Sequence, residues 1–175
     1  MLQYYGADPE FSLEGKTAVI TGGAAGIGYE TAKFFAKKGV NLVLADLNPG
    51  VDEIAKELDP KAVGIAGDVT NGAYRQSVVD LGVKQFGQID ILVNCAGIVA
   101  LEKAELISES DWDRTMNINL KSSFMMAQLL GKYFIDNHVN GSIVNIASQA
   151  GVIALDKHVA YCAAKGGIIA MTKVM

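Results

Sequence analysis

An α/β fold is what this sequence predicts, built as a doubly wound parallel sheet with helices on both faces. Three observations predict it. Residues 17–46 read as a short apolar run, a glycine-rich turn, an amphipathic segment and a second apolar run that stops at Asp46. Similar short apolar runs alternate with helical patterns down the rest of the chain, as in repeated βα units. Half of the 175 residues are apolar and 19% are charged, with a mean hydropathy of +0.25, which suits one well-cored domain and not a disordered chain. Together these give a Rossmann-type sheet of strand order 3-2-1-4-5, with ligands at the carboxyl ends of strands 1, 4 and 5.

Residues 1–15 form a polar, aromatic-tinged arm without periodicity, which packs on a partner subunit or frays; the domain proper is residues 16–175. The first strand is TAVIT, residues 17–21, and it feeds TGGAAGIG, in which Gly22, Gly26 and Gly28 are spaced GxxxGxG. Glycine has no Cβ, so such a turn bends sharply and lets backbone amides approach a diphosphate. The helix over residues 26–38 then aims its unpaired N–H groups and the positive end of its dipole at that anion. The plainer alternative is that these glycines only punctuate a turn. No GK[ST] follows them, so this is not a Walker loop.

The second strand, 41–45, ends at Asp46, 20 residues after Gly26. A carboxylate there can accept both hydroxyls of an adenosine ribose and would repel a 2′-phosphate, which favours NAD over NADP. Asp46 could instead serve only as a turn cap in DLNPG. A helix over 50–58 follows Pro49, then a third strand at 61–66 that ends in Gly67-Asp68. Asp68 either accepts from an adenine amino group or caps the helix that runs from residue 71 or 72 to 86. The fourth strand, 89–93, leads into NCAG, where Ala96 and Gly97 let the backbone pass close to a cofactor and Asn94 can tie neighbouring strands by side-chain bonds to backbone. A loop with a short helical piece spans 98–109. One long helix with broad apolar faces is expected from the Ser-rich cap near Ser108 to about residue 137, a fifth strand over 141–148, and a final helix from about His158 to the end.

The bulk numbers exclude several function classes. Net charge is −4 and pI about 5.1, with no basic patch interleaved with aromatics, so nucleic acid is not an expected partner. Cys95 and Cys162 lack CxxC or His spacing and read as buried free thiols, so no metal site is expected. No apolar run reaches membrane-spanning length and the start of the chain lacks a basic region followed by a hydrophobic one, so the chain reads as soluble and cytoplasmic, with no membrane partner.

Ser148, Tyr161 and Lys165 carry the chemistry. Tyr161 and Lys165 are four residues apart and share a helix face. A free phenol, with a pKa of about 10, is a poor base at neutral pH. A neighbouring ammonium favours the phenolate, which can then take a proton from an alcohol while hydride leaves its carbon. Ser148 can donate a hydrogen bond to the same oxygen, and a nicotinamide would accept the hydride. A Tyr/Lys pair alone is more often a surface pair than a site; the ordered set of motifs is what gives it weight.

That set, TGGAAGIG at 21–28, Asp46, Asp68-Val69, NCAG at 94–97, Asn119 in NINL, Ser148, and Tyr161 with Lys165, resembles the short-chain dehydrogenase/reductase family over nearly all of residues 12–175. The resemblance implies a catalytic group of Asn119, Ser148, Tyr161 and Lys165, in which Asn119 disturbs its helix and holds a proton-relaying water beside Lys165. It implies a cofactor site of Gly22, Gly26, Ile27, Gly28, Asp46, Asp68, Val69, Asn94, Ala96, Gly97, Tyr161 and Lys165, with Lys165 on the nicotinamide ribose. Asn94 matches the structural Asn of the family's NNAG, with Cys95 in place of the second Asn. The stretch VIALDKHVAYCAAKGG is similar to members acting on sugar alcohols, and also to 3-oxoacyl thioester reductases. His138 and His158 read as satisfied or exposed, since this chemistry needs no His. Ala164, Gly166 and Gly167 suit close packing beside cofactor or a partner helix.

The resemblance also implies that the family's sixth and seventh strands are missing, leaving the fifth as an open edge and the substrate pocket without floor or lid. The expected function is interconversion of a secondary alcohol and its ketone with NAD, in a homodimer or homotetramer when full length. A non-catalytic nucleotide-binding or assembly remnant is the alternative class. Substrate choice is expected to lie in the loops at 98–106 and 149–157.

Overall fold

The computed structural model describes residues 12–175. Residues 1–11 of the expected arm lie outside the described residues; at its end Leu13 packs on the core and Gly15 donates its N–H to Gly39 O at 2.9 Å.

Among the described residues there is one sheet of five parallel strands, β1 (Thr17–Thr21), β2 (Asn41–Asp46), β3 (Val63–Ala66), β4 (Ile91–Asn94) and β5 (Ser142–Asn145), in the order β3-β2-β1-β4-β5. The connections are α1 (Gly26–Ala36), α2 (Val51–Leu58), α3 (Gly72–Phe86), and then α4 (Glu109–Met116) with α5 (Ser122–Asp136), before α6 (Val159–Val174). Alternation along the strands divides the core in two. Ala18, Ile20, Leu42 and Leu44 face Ala32 of α1 and Ala55 of α2, whereas Val19, Val43 and Leu92 face Val78 of α3 and Met126 and Leu130 of α5. Both faces are covered, so the central strands β1, β2 and β4 are almost entirely buried. Register levels the carboxyl ends into one rim: Thr21 lies opposite Ala45 and Asn94, Asn94 opposite Asn145, and Asp46 opposite Ala66.

Four boundaries differ from expectation. The third strand starts at Val63, because Asp59 holds the N–H groups of Lys61 and Ala62 in a turn. The fourth is shifted to Ile91–Asn94. The fifth stops at Asn145, three residues short of Ser148, and Ser148 instead heads a single 3₁₀ turn over Gln149–Gly151. The long helix is interrupted by a π-helical turn, Asn117–Lys121. There Asn119 turns its amide inward onto Ile98, and the hydroxyls of Ser122 and Ser123 donate to the carbonyls of Ile118 and Asn119 at 2.5 and 2.9 Å. Side chains that claim helix carbonyls compete with the regular ladder, and a π turn is where the extra residue goes. β5 has neighbours on one side only among the described residues, and Val144 on it is 43% exposed. No helix of the described residues is long and apolar enough to cross a membrane.

Candidate active site

The glycine-rich turn leaves β1 at Thr21, whose Oγ1 accepts from the N–H groups of Cys95 and Ala96, each at 3.2 Å, tying the turn to the NCAG loop. Gly22 sits at φ +66°, and a Cβ there would lie 2.9 Å from Ala96 backbone. Gly28 is buried under the turn, where a Cβ would come within 2.1 Å of Gly22 O. Gly26, at φ +53°, faces open space, and Ile27 beside it is 63% exposed. No side chain caps α1 at Ala25, so the first-turn N–H groups are free to hold an anion above Gly26.

A cleft of about 260 Å³ opens beside this turn, lined by Gly22, Asp46, Asp68, Val69, Ala96 and Gly97 of the expected set. Asp46 is already engaged: Oδ2 accepts from Ala24 N–H at 3.0 Å and Oδ1 from Asn48 N–H at 2.9 Å. The turn-cap reading of Asp46 is thus met, yet an ionised carboxylate has about four acceptor sites and two remain for ribose hydroxyls. Asp68 does not cap α3. It accepts from Thr70 N–H at 2.8 Å, and Asn71 is the cap, accepting from Ala73 and Tyr74.

Sequence reading missed Leu47, Tyr74, Ile98, Arg114 and Ile118 in this cleft. Tyr74 packs where a Cβ on Gly67 would be 2.4 Å from its ring, and its hydroxyl donates to Ile65 O at 2.7 Å. Burial raises its pKa to about 12, with Asp46 and Asp68 also acting on it. The only signal for it was a Gly directly before Asp68, with an aromatic in the next helical turn. Asn94 is not on the cleft wall. It is 3% exposed, and its Nδ2 donates to Ser123 O at 3.1 Å and Asn145 Oδ1 at 2.9 Å, binding β4 to both α5 and β5.

Further along the rim, Asn119 is fully buried and reads Ile98 at both ends, accepting from its N–H and donating to its C=O at 2.7 Å each. That fixes the loop after NCAG to the π turn. A Cβ on Gly97 would be 2.9 Å from Asn119 Oδ1, so only glycine leaves this approach open. Ser148 Oγ accepts from Ala150 N–H at 3.1 Å, which leaves its own O–H free to donate outward. Tyr161 and Lys165 share a face of α6 as their spacing predicts, with Lys165 Nζ 5.7 Å from the Tyr161 ring centre. Lys165 is 5% exposed and donates to Ile146 O at 2.6 Å, and burial lowers its pKa below the ordinary lysine value.

The thiols are partly buried instead of buried, and both are free. Burial pushes the Cys95 thiol up to about 11 against the pull of nearby Lys165, which keeps it neutral. The small residues of α6 meet this chain itself. Lys165 and Gly166 pack on Gly151, and Gly167 on Leu120 of the π turn. His138 is exposed and His158 half-buried.

One end of the rim thus offers a glycine cradle with free helix N–H groups and an acidic cleft, and the other a phenol, a buried ammonium and a hydroxyl donor. This arrangement fits a dinucleotide laid across the carboxyl ends of β2, β1 and β4.

The model of the short chain dehydrogenase family matches residues 16–175. The chain is 45% identical to an NAD-dependent glycerol dehydrogenase from Listeria innocua and 45% identical to a D-threitol dehydrogenase from Mycolicibacterium smegmatis. Each match takes in 99% of this chain and 68% of the relative's length. A crystal structure of a short chain dehydrogenase from Bacillus anthracis superposes with a TM-score of 0.89 at 31% identity, covering 93% of this chain and 67% of that one.

Proposed function

Because this chain belongs to the short chain dehydrogenase family of oxidoreductases, we propose that it serves NAD-linked interconversion of a secondary alcohol, of the polyol class, and its ketone. The observation that carries this reading is the buried Lys165 ammonium set under the Tyr161 ring on one face of α6. The names of the two relatives at 45% identity support both the polyol and the NAD.

Bound NAD would supply the hydride acceptor. Tyr161 takes the proton from the alcohol, with the ammonium of Lys165 held beside its ring. Ser148 gives its free O–H to the same oxygen and so holds it against Tyr161. Lys165 has one N–H on Ile146 O, and its two others serve the nicotinamide ribose and the proton relay at Asn119. Gly22, Gly26, Ile27 and Gly28 form the diphosphate cradle. Asp46 binds the ribose, and Asp68 and Val69 border the adenine. Ala96 and Gly97 let the cofactor lie against the loop, which Asn94 holds from below. Two acidic side chains in the cleft disfavour the extra phosphate of NADP. The reading extends to self-association through the α4–α5 face and to a cytoplasmic setting, which the two free cysteines suit.

Tyr161→Phe tests it. Turnover of polyols should vanish while NAD affinity stays within about twofold, since the phenol oxygen acts on the substrate and not on the diphosphate. Retained turnover would refute the role of Tyr161. NAD binding with no turnover in the unaltered chain, on polyols and on 3-oxoacyl thioesters alike, would favour the non-catalytic alternative.

A further inference from the structure

Arg75 lies in the first turn of α3, and side chains on a helix lean toward its N-terminus. Its guanidinium therefore reaches back over the preceding loop, where Nη1 donates to Val69 O and Thr70 O at 2.8 Å each. Those bonds use both Nη1 protons, and the protons on Nη2 and Nε make no bond among the described residues. Arg75 is 9% exposed, and no carboxylate comes within ion-pair distance of it among the described residues. A guanidinium so deeply set without a counter-charge is costly, and arginine is rarely buried unless paired.

The remaining nitrogens are not sealed. Among the described residues, the enclosed side-chain atoms without a partner are Asn94 Oδ1 and Thr115 Oγ1, so Nη2 and Nε of Arg75 stay reachable. Arg75 opens on a cleft of about 220 Å³ between α3 and the π turn, lined also by Thr70, Asn117, Lys121 and Ser122. Every lining side chain is basic or neutral and polar. Lys121 is exposed and, like Arg75, has no carboxylate partner among the described residues. The Ser122 hydroxyl is spent on Ile118 O, whereas the Thr70 hydroxyl and the Asn117 amide make no hydrogen bond among the described residues. None of these five residues lines the cofactor cleft described above. The two clefts lie back to back: Val69 and Ile118 line the first and give their carbonyls to Arg75 and Ser122 of the second.

We propose that this cleft is a second anion site, which binds a phosphate oxyanion between the Arg75 guanidinium and the Lys121 ammonium. The donors stand on both walls, Arg75 and Thr70 on one and Asn117 and Lys121 on the other. A planar carboxylate is satisfied by the guanidinium fork alone. A tetrahedral phosphate has further oxygens to give to the opposite wall, and its charge offsets the two cations that share the cleft.

The Nε–H resonance of Arg75 reports the site directly in ¹H–¹⁵N spectra. It should shift saturably as inorganic phosphate is titrated at constant ionic strength, and far less with acetate. Competition by methyl phosphate would extend the site to phosphate esters. Lys121→Gln should weaken phosphate binding about fivefold, and Lys121→Arg should hold it within about twofold of the unaltered chain. Lys121 is exposed, so both variants should fold normally. Gly26→Ala, which intrudes on the glycine cradle, should leave the Arg75 response as it was. No saturable shift at Arg75, an equal response to acetate, or unchanged binding in Lys121→Gln would overturn the proposal. Phosphate shifts confined to residues 22–28 would put the ion in the glycine cradle and overturn it as well.

Discussion

Gly28→Ala and Gly26→Ala add the same methyl group two residues apart, and the structure assigns them opposite consequences. At Gly28 the new Cβ would lie 2.1 Å from Gly22 O, well over 1 Å inside ordinary contact of about 3.5 Å, and 2.8 Å from Gly22 C. The turn has nowhere to retreat. Gly22 is backed by Ala96 backbone, sits at φ +66° and donates its N–H to Ala45 O at 2.8 Å. Relief requires α1 to tilt from the sheet or that hydrogen bond to break. Overpacking of this kind costs about 2 kcal/mol and the bond about 1 more, so a loss of about 3 kcal/mol is expected. For a domain of this size that is roughly 6–12 °C in Tm. At Gly26 no atom lies within 4 Å of the new Cβ, and the cost is the left-handed conformation alone, about 1 kcal/mol. That methyl group instead fills the space where the cofactor diphosphate is proposed to rest. Denaturant titration and NAD calorimetry of both variants separate the two effects: Gly28→Ala should lose stability most, and Gly26→Ala should lose NAD affinity disproportionately to its stability. Equal stability of Gly28→Ala and the unaltered chain, or unchanged NAD affinity in Gly26→Ala, would refute the reasoning.

Two further outcomes follow from the same geometry. Asp46→Asn removes the charge and one of the two carboxylate acceptors that hold Ala24 and Asn48, so it should cost about 1 kcal/mol of stability and narrow the preference for NADH over NADPH by about tenfold, read by fluorescence titration. An unchanged ratio, or equal binding of both before the substitution, would remove Asp46 from cofactor choice. Lys165 has its pKa lowered by burial, so its charged form is held at a higher cost in the folded state than in the unfolded chain; between the lowered value and that of a free lysine the unfolded chain binds more protons, and stability rises with pH. Lys165→Met abolishes this, so its stability relative to the unaltered chain should be most favourable at neutral pH and shrink towards pH 10 in denaturant titrations. A difference independent of pH would mean that the ammonium is not desolvated as its burial implies.

The order of the strands, the winding of helices on both faces and the glycine turn were legible in the sequence, because alternation, period and glycine spacing are local patterns that tertiary packing reinforces. Asn119 was legible only through resemblance. Nothing in NINL announces a π turn, since it goes together with the hydroxyls of Ser122 and Ser123 beyond that stretch and with a pair of hydrogen bonds to Ile98, 21 residues away. Ser148 was read as the end of a strand, yet pairing with β4 stops at Asn145, opposite Asn94. How far a strand extends is set by its neighbour, which its own apolar run does not record. Tyr74 and Arg114 entered the cleft from α3 and α4, elements whose sequences only advertise helix caps.

By itself, then, the sequence determined which residues would reach the carboxyl rim of the sheet. Asp46 ends a strand, Tyr161 and Lys165 share a helix face, and both facts follow from backbone period alone. Only the tertiary structure decided what each of them has left to give. Asp46 spends two acceptor sites on Ala24 and Asn48, Lys165 spends one N–H on Ile146, Ser148 keeps its proton, and the Nδ2 of Asn94 is committed to Ser123 and Asn145 while its buried Oδ1 has no partner among the described residues. The donors and acceptors that remain for a ligand are those the fold does not use, and their partners lie far apart in the chain, where no local pattern can show them.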